Sequence, residues 1–190
     1  MTTTVKTILD RVAVILLDTD RIRWPISELI DYGNEGQLLL ATKFSDAKTK
    51  TVPVQLVPGA KQTLPSDAIL LLEVRRNTDG AAVTPCDRSA LDRFAPGWMY
   101  KPSGGAVKHW MTDENPALFY VYPAQGEAPG EILLTYSAQP GVLNQNGLID
   151  IRDIYAERLV NYILYRAFSK NAEYGGDANR ALAYYQAALS

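Results

Sequence analysis

Lys50-Thr51-Val52-Pro53-Val54-Gln55-Leu56-Val57-Pro58-Gly59 is the stretch at which the chain changes period. β-Branched and aliphatic residues crowd it and prolines bound it, which is the pattern of short strands. Upstream, Val5, Ile8, Leu9, Val12, Ile15 and Leu16 recur at three- and four-residue steps behind a Thr-rich start, predicting a helix from Val5 to Leu17. Pro25 suits a first helical turn, Ser27 and Glu28 follow it, and Leu29, Ile30, Leu40 and Phe44 give a second helix its inner face. Gly33 and Gly36 would each cost that helix about 1 kcal/mol relative to Ala, so they mark close packing or a bend, with a broken helix as the alternative.

Downstream the strand pattern continues through Ile69 to Val74, and Arg75-Arg76-Asn77 leads into the turn Thr78-Asp79-Gly80. Asp87 can cap a short helix through Phe94, which Pro96-Gly97 ends. Further strands are expected at Val107 to Met111, Ala117 to Tyr122 and Glu131 to Ser137. Helix returns after Gly147, with Asp150 as N-cap and a stripe of Ile151, Tyr155, Leu159, Tyr162 and Ile163 running to Lys170. Gly175-Gly176 breaks the chain, and Asp177 caps a final helix in which Leu182, Tyr185 and Leu189 share one face. The expected fold is α+β: residues 1–49 and 141–190 form a helical bundle of N- and C-terminal helices, and residues 50–140 form an inserted, mostly antiparallel β unit.

The 190 residues carry 19 Lys+Arg against 21 Asp+Glu, with one His and one Cys, a net charge of −2. Near-neutrality argues against a surface that holds nucleic acid by counterion release. A single cysteine, Cys86, excludes an internal disulfide, and with only His109 beside it no zinc site of two or more His/Cys ligands can be built. The apolar runs Ala13 to Leu17 and Ala68 to Leu72 fall far short of the ~18 residues of a membrane span, and neither has the flanks of a signal peptide.

Chemistry is equally sparse, and no catalytic, cofactor-binding or metal-binding residue is assigned. Gly33-Asn34-Glu35-Gly36 lacks the spacing of a phosphate loop. His109 lies between Lys108 and Trp110 in an expected strand, Asp113-Glu114 reads as a solvated turn, Asp18-Thr19-Asp20 lacks the rest of a calcium loop, and Cys86 reads as structural. Arg21, Arg23 and Trp24 are too few for a nucleic-acid surface and suit a contact in the turn between helices. Six of the eleven tyrosines stand at 155, 162, 165, 174, 184 and 185, a concentration that fits either a packed bundle or a partner surface.

The order of elements and its local phrases resemble a known family. Trp24-Pro25-Ile26-Ser27-Glu28-Leu29-Ile30-Asp31-Tyr32-Gly33-Asn34-Glu35-Gly36-Gln37 resembles the W-x-x-x-E-L-x-x-x-x-N-E-G-Q opening of phage adaptor proteins, the head-to-tail connectors of short-tailed phages, similar to the tail tubular protein A group. Val54 to Pro65, Leu71 to Asn77, Tyr155 to Asn171 and Arg180 to Leu189 continue the resemblance in the same order, Asn171 standing where an acidic residue is expected.

The resemblance implies a virion protein at the head-tail junction, made in the host cytoplasm, that forms a dodecameric ring between the portal protein and the tail nozzle protein. DNA would pass through the lumen without specific binding, and neither membrane nor cofactor is implied. The helical part would supply the ring and portal contact, and the β unit would project outward or toward the tail. Leu182, Tyr184, Tyr185 and Leu189 are the candidate portal-contact residues, in a helix-in-groove mode; their alternative role is packing on the Ile151 to Ala167 helix. Two other classes remain open. One is a non-catalytic ligand- or carbohydrate-binding module of a phage tail, using Trp98, Tyr100, Trp110 and Tyr120. The other is a tail-associated hydrolase, for which no carboxylate pair stands out.

Overall fold

The computed structural model describes residues 2–170 and 175–190. Along the chain run α1 (Val5–Ile15), α2 (Ile26–Lys43), β1 (Thr49–Gln55), β2 (Gly59–Thr63), β3 (Ala68–Asn77), β4 (Thr84–Pro85), α3 (Arg88–Phe94), β5 (His109–Thr112), β6 (Leu118–Gln125), β7 (Glu131–Ala138), α4 (Ala156–Lys170) and α5 (Gly175–Leu189). The fold is α+β. Two compact units divide it, Met1–Lys48 with Gln139–Ser190, and Thr49–Ala138.

The first unit is helical. The Thr4 hydroxyl caps α1 by accepting the Thr7 N–H at 3.1 Å. Ile8, Leu9 and Val12 of α1, Leu29 and Leu40 of α2, and Leu159, Val160, Ile163 and Leu164 of α4 make one core. Trp24 is buried at the entry to α2, Arg21 pairs with Asp10 at 2.7 Å, and the Asp18 carboxylate accepts the N–H groups of Ile22, Arg23 and Trp24. The Arg21 to Trp24 group thus serves the turn between helices.

α2 runs unbroken through both glycines, because each lies where another segment needs the room. A Cβ on Gly36 would come within 2.8 Å of Leu159 Cδ1 and of Tyr162 Cδ1, and one on Gly33 within 2.7 Å of Leu143 Cδ1. Beside them, Asn34 Oδ1 accepts the Leu143 N–H at 2.8 Å and Glu35 forms an ion pair with Arg166. Gln37, fully buried, accepts the Asp150 N–H on Oε1 at 2.7 Å and donates Nε2 to the Gly141 carbonyl at 3.3 Å. Four consecutive residues therefore fasten α2 to the returning chain and to α4.

Asp150 has a different job from the expected helix cap. Its carboxylate takes the Gly141 N–H at 2.6 Å and pairs with Lys48, while the chain enters α4 later through a 3-10 turn at Asp153–Tyr155. The final helix also begins earlier than the glycine pair suggests: α5 includes Gly175 and Gly176, and Asp177 lies in its first turn. Tyr174 and Asn171 are outside the described residues.

The second unit holds a three-stranded sheet, β1-β7-β3, and a four-stranded sheet, β2-β6-β5-β4. All pairs are antiparallel except β4 with β5. Leu71, Val74, Ile132 and Leu134 from the first sheet and Phe119 and Val121 from the second share one core. A smaller cluster, Leu91, Trp98, Met111 and Tyr120, brings α3 and the following 3-10 turn onto the four-stranded sheet. Pro53 sits in the middle of the edge strand β1 opposite Leu133, and the opposite edge strand, β3, is interrupted by three register shifts. β2 is not signalled by its own residues; Gly-Ala-Lys-Gln-Thr has little strand character, and pairing with β6 supplies it. Arg75 to Asn77 belong to β3 rather than to the turn. Buried Asn77 holds Val107 by both its N–H and its carbonyl, at 2.8 Å each, and buried Gln62 holds the Val57 N–H and carbonyl likewise.

Gln37→Leu keeps the volume but leaves two backbone groups without partners, and should destabilise the helical unit by about 2–4 kcal/mol in urea denaturation. Gly36→Ala meets an aromatic ring and a leucine together, so overpacking of about 1–3 kcal/mol exceeds the ~1 kcal/mol gain in helix propensity. Gly33→Ala meets only one movable methyl and should be close to neutral by the same measurement. Two titrations frame the pH range. Glu28 is held below its ordinary value by hydrogen bonds from Lys170 and Tyr32, so its contribution is present above about pH 4.5 and is lost as pH falls through the lowered folded value. Tyr32 is pushed up to about 12 by burial and by Glu28, so its contribution is present below pH 10 and is lost as pH rises toward 12. Thermal melts across pH should show both flanks, and Tyr32→Phe should flatten the alkaline one.

Candidate functional site

α5 lies on α4 through a face set by small and aromatic residues. Ala181 and Ala188 are buried, Tyr184 stacks on Phe168 with ring planes 2° apart and centroids 5.6 Å apart, and Tyr185 meets Tyr165 at 4.8 Å. The Arg180 guanidinium also lies over the Phe168 ring, 5.8 Å from its centroid. Tyr165 in turn meets Tyr162, whose hydroxyl burial pushes upward in pKa and which shields α2 at Gly36.

The four candidate residues therefore divide. Tyr184 and Tyr185 are half-buried against α4, Leu189 is half-buried near the end of the helix, and Leu182 is 57% exposed. Leu182 and Tyr185, expected on one face, do not act together: the face toward α4 is Ala181, Tyr184, Tyr185 and Ala188. Ala181 and Ala188 are the residues that hydrophobic spacing misses, because alanine is too small to mark a stripe, although they stand seven residues apart as a buried face requires.

The residues weighed for other chemistry are engaged locally. His109 shares a 2.8 Å hydrogen bond with the Thr84 hydroxyl and stacks on Tyr122. Asp113 accepts the Asn115 N–H at 2.9 Å in a turn, and Cys86 is half-buried with its thiol 3.5 Å from the Asp87 carbonyl. Trp98, Trp110 and Tyr120 are buried, so of the four aromatics considered for a sugar surface only Tyr100 is open, at 85% exposure. Trp98 instead donates its indole N–H to Asp92 at 2.8 Å. The cleft of about 430 Å³ beside it is lined by Pro96, Trp98, Lys101, Ser103, Tyr122 and Pro123 with Ala95, a lining that includes no carboxylate. Among the described residues no group of three or more His, Cys, Asp or Glu side chains could hold a metal ion, and no helix is long and apolar enough to cross a membrane.

The model of the SU10 adaptor protein family matches residues 3–190, nearly the whole chain, including every phrase that carries the resemblance to phage adaptors. No curated protein matches the chain. The family is a structural one rather than a known enzyme class, and its members are virion components that meet other capsid or tail proteins. The chain belongs to the SU10 adaptor protein family, the structural adaptors of the phage virion.

Proposed function

We propose that copies of this chain form a ring at the head-tail junction, between the portal protein and the tail nozzle protein, and that DNA passes through its lumen. The observation that carries this reading is the family match across residues 3–190. The charge supports it, because a chain of net −2 suits a passage that must let DNA slide rather than a surface that grips it. The helical unit supplies the ring and portal contacts, and the β unit is left for the tail side.

α5 is the portal-contact element in this reading. It is attached to α4 by two buried alanines and by aromatic stacking, so its hold on the unit rests on the Tyr184–Phe168 and Tyr185–Tyr165 pairs rather than on aliphatic burial. Leu182 is available to a partner as the helix stands. Tyr184, Tyr185 and Leu189 become available to a groove on the portal when α5 leaves α4.

Purified chain mixed with its portal should give closed rings by electron microscopy, and a chain that stays monomeric both alone and with the portal would refute the ring. Truncation after Asp177 isolates the helix. The shortened chain should keep a cooperative melt, lowered by a few degrees, while losing portal binding in a pull-down. Gross unfolding would make α5 part of the core, and undiminished binding would move the portal contact elsewhere.

A further inference from the structure

Among the described residues, every half-buried Lys or Arg except one has a carboxylate. Arg21 pairs with Asp10, Lys48 with Asp150, Lys50 with Asp67 and Arg166 with Glu35. The exception is Arg158. Its guanidinium has no hydrogen-bond acceptor among the described residues, and its Nη1 is buried with no partner at all. A cation drawn out of water is ordinarily paired, because its desolvation and its open donors both cost stability.

The guanidinium is nonetheless held in place. It lies over the Phe44 ring, 4.5 Å from the centroid, and over the Tyr155 ring at 5.8 Å. Those rings are themselves fixed, with centroids 5.3 Å apart and the Tyr155 hydroxyl donating to Asp46 at 2.5 Å. The acids of this stretch are already engaged: Glu157 pairs with Arg11, Asp153 accepts the Thr3 N–H, and Asp46 serves Tyr155 and Arg152.

Nη1 is the guanidinium nitrogen that is closed off, so Nε and Nη2 are the ones that reach the surface. Their N–H bonds point the same way along one edge, and that edge matches the two oxygens of a carboxylate. A lone guanidinium next to Glu157 suits the one charge of a carboxylate rather than the two of a phosphate. Ile154, 63% exposed, stands one turn earlier in the chain and gives the surroundings of the fork an apolar side chain, as protein contacts built around an arginine have.

We propose that Arg158 is a carboxylate-binding site that takes an Asp or Glu side chain of an adjoining protein subunit. Phe44 and Tyr155 fix the fork before the carboxylate arrives, so little order has to be created on binding. The site stands independently of the ring reading, and its first test needs no partner.

The probe is sodium acetate, titrated against chloride at constant ionic strength into isotope-labelled full chain while the arginine Nε–H resonances are followed. Arg76 and Arg93, both exposed and without an ion pair, are the internal references. Arg158 should respond first, with a half-saturation about threefold below theirs because its fork is preset. Arg158→Met then removes the fork and the orphaned donor together while keeping a side chain over the two rings. It should melt no lower than the parent chain, yet associate about tenfold more weakly either with itself or with the portal, the affected setting naming the source of the carboxylate. Arg158→Lys keeps the charge without the fork and should restore association only in part. Arg158 responding to acetate no earlier than Arg76 and Arg93 would overturn the site. A melt of Arg158→Met well below the parent's would do the same by making Arg158 a structural cation, as would association equal to that of an associating parent in both settings. A parent chain that forms no ring removes the ring alone, and the acetate titration still decides the site.

Discussion

One buried amide sets the helical unit in register. A helix interior offers no backbone donor or acceptor to its neighbours, so a returning segment with unpaired backbone groups can be held only by a side chain that both donates and accepts. Gln37 does this for Gly141 and Asp150 at once. Asn34 and Glu35 reach outward from the same turns, and Gly36 lets Leu159 and Tyr162 come close enough for those bonds to form. If the amide were replaced by a carbon skeleton, the apolar core would still attract these segments, but nothing would fix where along α2 the chain returns.

The β unit uses the same device twice, with Asn77 gripping Val107 and Gln62 gripping Val57. All three amides lie in the phrases through which the chain resembles phage adaptors. Each amide marks a place where a side chain must replace backbone pairing, which gives these polar motifs a structural origin.

Periodicity makes the helical ends and the strand-rich middle legible, because burial of one face repeats at 3.6 residues in the first and 2 in the second. Gly33 and Gly36 are legible only as close packing, a bend or a break, and the neighbours that each meets in an unbroken α2 decide for close packing. β2 is not legible, since its strand character comes from the partner that it pairs with. Asp150 is misleading because its carboxylate suits a helix cap as well as it suits the Gly141 N–H and Lys48, and only the tertiary fold decides between them. The candidate site is half legible: the aromatic residues of α5 announce a packed face, but the alanines that orient it carry no hydrophobic signal, and Leu182 is left on the outside.

The two rims of the three-stranded sheet have a consequence for crowding. Pro53 removes an N–H from the middle of β1, and three bulges bend β3 out of regular register. An open sheet rim is otherwise a template on which identical chains stack without limit. Blunted rims keep such backbone zippering from starting at either side of this sheet. Any contact made at these rims is thereby left to side chains, whose shape and charge select a partner in a way that a hydrogen-bonded ladder does not.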